Sequence, residues 1–577
     1  MAKKKRPSPS KNSKPKLSKL EQIKKESELL RGPILTELTE DVDHFSEQAK
    51  QLLKFHGSYQ QDDRDLRKSR SKEGLSRYYY FMVRCRMPGG KFNARQYLAI
   101  DELCEKYGNS TIRLTSRQGI QLHGILKSDL QATIQGINEC LMSTLGACGD
   151  VERNVMCCPA PLHSDEVRQQ MQQHADAIAN HLAPRSGAYH EIWLNGQAIG
   201  TNGKSKKRER EPIYGKTYLP RKFKTGLSLP EDNCVDVYTQ DLGLLAIVKN
   251  GKLLGYNVLC GGGSGRTHGN ANTFPSLGRA MCFVPPEDVV AMAEAVVKVF
   301  RDHGNRADRK QARLKYLVNA WGVKKFRDVL KTYFKKPFKM PKRVKVTGFD
   351  LHLGWQPQGD GQWFYGLSVE NGRIQDNGKF QLRTALRKIM SELQPELRLT
   401  PQQDILLCNL PKTAHARIRK ILADHHLLEP KKISLVRQLS LACPAIPTCG
   451  LALSESERML PDLLTELEGH LKKLGLSKQE ISIRVTGCPN GCVRPYQSDV
   501  GIVGRSGDKY VLYLGGSVIG DRLNQEFQDL VPRDRIVPTL VTVLKHYKKH
   551  RHNGEGFGDY CHRVGVKKLA QELLASS

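Results

Sequence analysis

The sequence IRLTSRQGIQLHGI at residues 112–125 returns later in the chain as LRLTPQQDILLCNL at residues 397–410. Six of the fourteen aligned positions are identical. Each copy follows a stretch with helical periodicity, near 94–107 and 382–393 respectively. A helix followed by strand-like residues, present twice, predicts two related α+β halves within one chain.

The first copy carries a polar, basic face that the second copy has mostly lost. Alternate side chains of a strand share one face, so two sets of side chains are expected to point the same way. These sets are Arg113, Thr115 and Arg117, and further along Gln121 and His123. In the second copy the last three positions hold Gln402, Leu406 and Cys408. One cofactor lying against one half would produce this difference, and we predict that the five residues contact it.

Four cysteines towards the C-terminus form two close pairs. The first pair lies in ACPAIPTCG (442–450) and the second in TGCPNGC (486–492), with 38 residues between them. Four thiolates in two pairs suit a tetrahedral zinc ion or an iron–sulfur cluster. The wide first pair, with prolines and glycines beside the thiols, favours a bulky 4Fe–4S core over zinc or buried structural thiols. The other eleven cysteines, including adjacent Cys157 and Cys158, lack a matched partner motif and are expected to be buried neutral thiols.

Four further blocks accompany the cysteine pairs. They are KFHGSYQQDDRD (54–65), YLPRKFKT (218–225), GNRADRK (304–310) and GEGFGD (554–559). With the cysteine motif, they resemble the sirohaem sulfite and nitrite reductases in composition and order. The resemblance implies that Cys443, Cys449, Cys488 and Cys492 hold one 4Fe–4S cluster, and that Cys492 is also the axial ligand of the sirohaem iron.

The resemblance also implies the architecture. We expect an α+β fold with duplicated, pseudo-twofold ferredoxin-like half-domains plus two α/β domains around a central sirohaem–4Fe–4S site. A polar, basic loop at 200–210 is expected to be solvated. The predicted segments are a basic disordered tail with a lead-in helix (1–50), the first half-domain (51–148), a sirohaem-binding α/β domain (149–345), the second half-domain (346–428) and a C-terminal domain that binds the cluster and sirohaem (429–577).

Sirohaem has eight carboxylates, so a protein that buries it must supply cations and hydrogen-bond donors. A triple glycine would expose backbone N–H groups to an anion and allow close approach of a flat macrocycle. Asn490, between the last two cluster ligands, could orient towards the cofactors or serve the turn itself. The further residues that the matching blocks and the glycine run supply are Arg221, Arg306, Arg309, Lys310, Gly261, Gly262 and Gly263.

The predicted catalytic residues are also cations. Lys222 and Lys224 are two positions apart and share a face if their segment is extended. The resemblance adds Arg84 and Arg153 by position. Reduction of a small oxyanion such as sulfite needs positive charge to hold it. Lysines clustered among other cations lose protons more easily and can donate them.

The chain has 577 residues and a net charge of +32, from 91 Lys and Arg against 59 Asp and Glu. An anionic cofactor and substrate, an acidic redox partner, or nucleic acid would each account for part of this surplus. No apolar run approaches the roughly 18 residues of a membrane span, and the first residues do not read as a signal peptide. We therefore expect a cytoplasmic location.

The electron donor is predicted to be a separate protein, because the sequence shows no dinucleotide-binding fingerprint. VRPY at 493–496 is similar to the ferredoxin-coupled branch, whereas the 54–65 block is shared with flavoprotein-coupled members. The Lys-Phe-Lys pattern around Phe223 resembles the sulfite branch. We expect an assimilatory sulfite reductase that uses ferredoxin. The alternatives are the haemoprotein subunit of an NADPH-dependent sulfite reductase, a nitrite reductase forming ammonia, or a nucleic-acid-binding basic protein.

Overall fold

The computed structural model describes residues 17–195 and 210–574, so the expectations for the tail at 1–16 and for most of the basic loop at 200–210 fall outside the described residues. Where one lead-in helix was expected, three short helices occur. Left-handed backbone at Glu28, Leu29 and Leu30 ends the first of them. The three helices are α1 (Lys19–Glu26), α2 (Ile34–Leu38) and α3 (Glu47–Leu53).

The first half-domain has a five-stranded antiparallel sheet with two main helices on one side. Its helix over residues 94–107 begins with a capping box, in which the Asn93 and Gln96 side chains satisfy each other's backbone N–H groups. The elements are β1 (Ser58–Asp62), α4 (Arg67–Lys72), β2 (Tyr79–Arg84), β3 (Lys91–Asn93), α5 (Ala94–Tyr107), β4 (Ile112–Leu114), β5 (Ile120–Ile125) and α6 (Leu130–Glu139).

A four-stranded sheet with helices follows. Its helix over residues 289–303 buries valine, alanine and methionine side chains at helical spacing, which makes that face part of the main core. The elements are α7 (Glu166–His181), α8 (Ala188–His190), β6 (Thr225–Ser228), β7 (Leu242–Lys249), β8 (Lys252–Cys260), β9 (Arg279–Val284), α9 (Val289–His303) and α10 (Leu314–Phe334). The strand order is β6-β7-β8-β9, with β6 parallel to β7 and the other pairs antiparallel.

The second half-domain repeats the plan of the first. Its helix over residues 382–393 again precedes a short hairpin, which confirms the predicted duplication. The elements are β10 (Gly354–Pro357), β11 (Trp363–Leu367), β12 (Arg373–Ile374), β13 (Asp376–Asn377), β14 (Phe380–Gln381), α11 (Leu382–Leu393), β15 (Glu396–Leu399), β16 (Ile405–Leu410) and α12 (Ala414–Asp424).

The two half-domains exchange an edge strand. The first sheet has the order β1-β2-β5-β4-β12, and the second has the order β10-β11-β16-β15-β3. Just before each exchanged strand, a glycine with positive φ lies against the partner half. A Cβ at Gly90 would be 2.6 Å from the Leu399 carbonyl oxygen, and a Cβ at Gly372 would be 2.6 Å from that of Leu114. Because Leu114 and Leu399 are equivalent in the repeat, the contacts follow a pseudo-twofold relation.

The C-terminal region has its own hydrophobic core around a mixed sheet. Strand order is β17-β18-β19-β20-β21, and the first three strands run parallel to one another. The elements are α13 (Leu435–Gln438), β17 (Leu441–Ala442), α14 (Leu460–Leu474), β18 (Ile483–Thr486), β19 (Val500–Ser506), β20 (Lys509–Leu514), β21 (Gln525–Pro532), α15 (Ile536–His550), α16 (Phe557–Val564) and α17 (Val566–Leu574). Among the described helices, none has an apolar stretch long enough to cross a bilayer.

Candidate active site

The two cysteine pairs meet at one edge of the C-terminal sheet. Strands β17 and β18 are parallel neighbours, with Ala442 opposite Val485. Cys443 follows β17 directly, and Cys488 follows β18 by two residues. Since the carboxyl ends of parallel strands reach the same edge, residues 45 positions apart in sequence come together here.

The surroundings of the four thiols suit an iron–sulfur cluster. Burial, together with the charge of Cys492, raises the pKa of Cys488 to about 12, and the Cys443 pKa is raised by the same two causes. The Gly487 N–H lies 3.4 Å from the Cys443 Sγ, and the Asn490 Nδ2 lies 3.5 Å from the Cys488 Sγ. These donors would stabilise thiolates bound to a metal core. Four converging sulfurs with such donors fit a 4Fe–4S cluster.

Beside Cys492 is a small cavity of about 20 Å³, bounded by the α/β region, the first half-domain and the cluster loop. Cys492 is exposed, unlike the other three cluster cysteines. None of the described residues that line the cavity is acidic. The lining residues are Arg117, Lys222, Lys224, Thr239, Gln240, Gly263, Ser264, Gly265, Arg313, Asn490, Gly491, Cys492 and Arg494.

Two of the cavity's five cations are neutralised by carboxylates behind them. Arg313 forms an ion pair with Asp241 at 2.7 Å, and Arg494 forms one with Asp236. The other three have no acidic partner within hydrogen-bond distance among the described residues. They are Arg117, Lys222 and Lys224.

The lowered pKa values of Lys222 and Lys224 show the electrostatic cost of placing these cations together without carboxylate partners. Burial, with the nearby charges of Arg221 and Arg313, lowers the pKa of Lys222 to about 7. Burial and the Arg117 charge lower the pKa of Lys224 well below its usual value. The Arg117 Nε is buried without a hydrogen-bond partner in the part of the chain that the structure describes. Unneutralised cations at this density are costly unless an anion binds between them.

A second polar cluster lies on the face of β2 and β5. The Arg84 Nη1 is 2.9 Å from the Cys148 Sγ, and the Arg84 Cζ lies 5.8 Å from the centroid of the Tyr59 ring. In the amide orientation that satisfies both groups, the Gln121 oxygen accepts from Arg84 Nε at 2.8 Å. Arg153 donates to the Gly149 carbonyl at 2.7 Å and its charge acts on Lys222. This cluster is therefore electrostatically connected to the cavity.

Comparison with known proteins identifies the family. The family described as "Nitrite and sulphite reductase 4Fe-4S domain" matches residues 173–338 and 435–576. The family described as "Nitrite/Sulfite reductase ferredoxin-like half domain" matches residues 74–140 and 356–425. The chain belongs to the nitrite and sulphite reductase family. The expected α+β fold with ferredoxin-like half-domains and a 4Fe–4S domain is thereby confirmed.

Individual relatives cover nearly the whole chain. A sulfite reductase [NADPH] hemoprotein beta-component of Staphylococcus saprophyticus is 45% identical over 96% of this chain and 96% of its own. A sulfite reductase [ferredoxin] of Synechococcus elongatus is 43% identical over 96% of this chain and 91% of its own. The solved structure of the Mycobacterium tuberculosis NirA protein aligns with a TM-score of 0.76 at 23% identity, over 95% of this chain and 96% of that one, which shows a shared fold.

In this family member, the predicted strand face of the first repeat is interrupted. Strand β4 ends at Leu114, and residues 115–119 form a turn, so the expectation that Arg113, Thr115 and Arg117 share one face is wrong. Arg113 donates to the Ala442 carbonyl at 2.7 Å and pairs with Glu457, whereas Arg117 donates to Gln240 at 2.7 Å at the cavity.

The Thr115 hydroxyl stabilises this turn. It accepts from the backbone N–H groups of Arg117 and Gly119, and Thr400 makes the equivalent bonds in the second copy. The geometry therefore favours a structural role for Thr115. His123 is buried, and neither ring nitrogen has a partner among the described residues. Its proposed contact with a cofactor stays a prediction.

The expectation that the triple glycine at 261–263 exposes its backbone N–H groups to an anion needs correction. Its three N–H groups are already used, because Gly261 donates to Asp241, Gly262 to Gln240 and Gly263 to Ser276, at 2.8 to 3.0 Å. A Cβ at Gly262 would also be 2.2 Å from the Tyr238 carbonyl oxygen. Gly262 thus allows close packing of backbone against backbone, and of the three glycines only Gly263 lines the cavity.

Four of the basic residues predicted from the matching blocks lie outside the cavity lining. Arg309 forms an ion pair with buried Asp150 at 2.9 Å, and Arg221 lies 3.8 Å from the same carboxylate. Arg306 pairs with Glu21 of α1 and donates to the Tyr218 carbonyl, so it holds the N-terminal helix. Lys310 is exposed, and its side chain forms no hydrogen bond or ion pair with the described residues. None of the four lines the cavity.

Sequence reasoning missed several cavity residues. Arg494 was quoted only for its branch pattern, yet it donates to the carbonyls of Ser116 at 3.0 Å and Pro401 at 3.2 Å, which are equivalent positions of the repeat. Arg313 lies three residues beyond the GNRADRK block. The N–H groups of Ser264 and Gly265 have no partner in the described chain, and these residues extend the glycine run as GGGSG (261–265). Each of these residues therefore lies next to a motif that the sequence analysis had singled out.

Proposed function

We propose that this chain catalyses the reduction of sulfite to hydrogen sulfide. Six electrons and eight protons convert one sulfite dianion into hydrogen sulfide and three water molecules. The observation that carries the proposal is the cavity at Cys492, where Lys222 and Lys224 present positive charge with no acidic partner among the described residues. The names of the relatives from Staphylococcus saprophyticus and Synechococcus elongatus support sulfite as the substrate.

The cavity residues also fit an anionic macrocycle. The unpartnered Nε of Arg117 and the N–H groups of Ser264 and Gly265 are donors that the carboxylates of sirohaem would satisfy. Arg313 would add a fourth donor at the same wall. When bound, sirohaem coupled to the cluster supplies electrons and an iron site for the substrate. Cys492 is the residue we propose to join the two groups.

The lysines have two proposed tasks in catalysis. As ammonium groups, Lys222 and Lys224 hold the sulfite anion and stabilise charge on its oxygens. The lowered pKa of each Nζ makes its proton available to an oxygen that leaves as water. Arg153 and Arg84 are proposed to support this field from the neighbouring cluster, since the charge of Arg153 reaches Lys222.

We propose ferredoxin as the electron donor. The net charge of +32 would attract an acidic partner, and the relative from Synechococcus elongatus is named for ferredoxin. An NADPH-dependent flavoprotein subunit is the second candidate, because the relative from Staphylococcus saprophyticus is an NADPH hemoprotein component. Turnover with each reduced donor, supplied separately, distinguishes them.

We propose that the reaction takes place in the cytoplasm, where a reducing environment preserves an iron–sulfur cluster.

Substitution of Cys492 tests the proposed site. Anaerobically purified Cys492→Ser should lose sulfide production by at least about 100-fold, because this thiolate would hold the cluster and would also contact the sirohaem. Iron analysis and the visible absorption spectrum would record the accompanying change in the metal centre. Cys140→Ser is the control, since Cys140 is partly exposed and outside the cluster. Normal sulfide production by Cys492→Ser would refute the proposed site.

Substrate preference needs a separate experiment. Steady-state kinetics with sulfite and nitrite, using the same reduced small-molecule donor, should give a higher kcat/KM for sulfite. A higher kcat/KM for nitrite would instead support the nitrite reductase alternative.

A further inference from the structure

A cluster of four potential metal ligands lies outside the proposed active site. Cys158, Asp232, Cys234 and His352 are all buried, and their ligand atoms lie within 4.8 Å of one another. Cys158 lies in the extended segment after the first half-domain. Asp232 and Cys234 lie in the loop between β6 and β7, and His352 lies in the segment before β10. The thiols of Cys158 and Cys234, which lack a matched partner motif in the sequence, therefore have potential co-ligands. These residues come together only in the folded chain.

Three of the six separations between ligand atoms are slightly shorter than, or close to, those of a tetrahedral zinc site. The Asp232 Oδ2 is 2.9 Å from the Cys158 Sγ and 3.1 Å from the His352 Nε2, and that Sγ is 3.4 Å from the same Nε2. Zinc bonds of about 2.0 to 2.3 Å at tetrahedral angles require ligand separations of about 3.3 to 3.8 Å. For these three pairs an outward movement of at most about 0.7 Å would accommodate the ion, and the Cys234 Sγ lies within 4.8 Å of the other three ligand atoms.

The groups around the cluster match those that orient metal ligands. The His352 Nδ1, on the far side of the ring, is 3.7 Å from the Asp350 carboxylate, and the Asp350 N–H donates to Asp232 Oδ1 at 3.2 Å. A carboxylate behind a histidine ligand is the usual way to orient the ring. Val235 and Leu245 belong to the apolar shell around the two thiols.

The charges also balance around a divalent cation. Two thiolates and one carboxylate carry three negative charges, and a zinc ion supplies two positive charges. Arg168 supplies the third, because its Nη1 is 2.7 Å from the Cys158 Sγ and 2.9 Å from the Asp232 Oδ2. That one oxygen is therefore approached at once by the Arg168 Nη1, the Cys158 Sγ and the His352 Nε2.

We propose that Cys158, Asp232, Cys234 and His352 form a structural zinc site. Zinc is favoured because two sulfurs with one nitrogen and one oxygen at tetrahedral spacing suit this ion. The ion would join the segment after the first half-domain, the α/β region and the segment 335–353, which lacks helices and strands apart from isolated contacts. Its role would be to fix the entry to the second half-domain.

Zinc content of the purified full-length protein tests the site. Elemental analysis of protein from zinc-supplemented cultures should give about one zinc per chain. Cys234→Ala and His352→Ala should each lower the zinc content at least about fivefold. Cys157→Ala is the matched control, since this thiol is adjacent and buried but outside the ligand set, and it should retain zinc. Absence of zinc from the native protein, or equal zinc in all variants, would overturn the proposal.

X-ray absorption at the zinc edge tests the site without any variant, and the iron of the active site does not contribute to it. The native protein should show two sulfur neighbours near 2.3 Å and two nitrogen or oxygen neighbours near 2.0 Å. A shell of four sulfurs would place zinc at the cluster cysteines and contradict the proposed site. A Cys158–Cys234 disulfide in the native protein, detected by mass spectrometry, would also contradict it.

Discussion

At the scale of single residues, the main feature is a pair of lysines that the protein leaves without acidic partners. Most buried Lys and Arg side chains in the described chain are paired with a carboxylate, as Arg494 is with Asp236. Lys222 and Lys224 instead face the cavity, and burial and repulsion from neighbouring cations lower the pKa of each. Such an arrangement destabilises the free protein and favours binding of an anion.

Removal of either lysine should therefore impair sulfite reduction. We expect Lys222→Ala and Lys224→Ala each to lower kcat/KM for sulfite about 100-fold, a typical cost for one lost electrostatic stabiliser of a transition state. Lys249→Ala, at the exposed end of β7, is the control and should keep native kinetics. Steady-state assays with a reduced small-molecule donor measure the effect. Less than a twofold change in both variants would exclude the proposed role.

At the scale of secondary-structure elements, the exchanged strands depend on two glycines. Gly90 and Gly372 have φ values of +75° and +69°, and a Cβ on either would meet a carbonyl oxygen of the other half-domain. An alanine at these positions therefore suffers both backbone strain and a steric clash.

Alanine substitution at different glycines separates the cost of backbone strain from the cost of the steric clash. We expect Gly90→Ala and Gly372→Ala each to destabilise the protein by about 2 to 4 kcal/mol. Gly378→Ala is the control, because it has a φ of +57° but no atom within 4 Å of the new Cβ. It should cost only about 1 kcal/mol. Urea unfolding of the three variants measures the differences, and equal losses in all three would show that the clash has no effect.

Asp404 lies in the turn of the second repeat and makes the stability of the folded chain depend on pH. Burial raises its pKa to about 8, although its Oδ1 accepts from the Val369 N–H at 2.7 Å. Below about pH 4 the carboxyl is protonated in both the folded and the unfolded chain. Between about pH 4 and 8 the unfolded chain loses a proton that the folded chain keeps. The free energy of unfolding therefore falls as pH rises through this range.

Asp404→Asn should remove this dependence while keeping the acceptor for Val369. Relative to the native protein, the variant should gain about 1 to 4 kcal/mol of stability between pH 5 and 8, since each pKa unit corresponds to about 1.4 kcal/mol. Urea unfolding at several pH values measures the difference. A constant difference across the range would contradict the raised pKa.

At the scale of the whole molecule, the charge of +32 should govern association with the donor. If ferredoxin is the donor, its KM should rise several-fold between about 50 and 300 mM salt, because screening weakens long-range attraction. Turnover with a small-molecule donor should change much less over the same range. A salt-independent KM for ferredoxin would show that the basic surface does not recruit it.

The amino-acid sequence by itself determined the elements whose signals are local. Helical periodicity predicted the helices at 94–107 and 382–393, and similarity between the two repeats predicted the duplicated half-domains. Spacing and neighbouring residues singled out Cys443, Cys449, Cys488 and Cys492 because ligands to one cluster occur in short motifs.

Only the tertiary structure decided which polar groups meet. The turn after Leu114 sends Arg113 to Glu457, 344 residues away, and Arg117 to the cavity. The ligands of the proposed zinc site come from three distant segments. No periodicity records such contacts, because partners that are far apart in sequence become neighbours only when the hydrophobic core has packed.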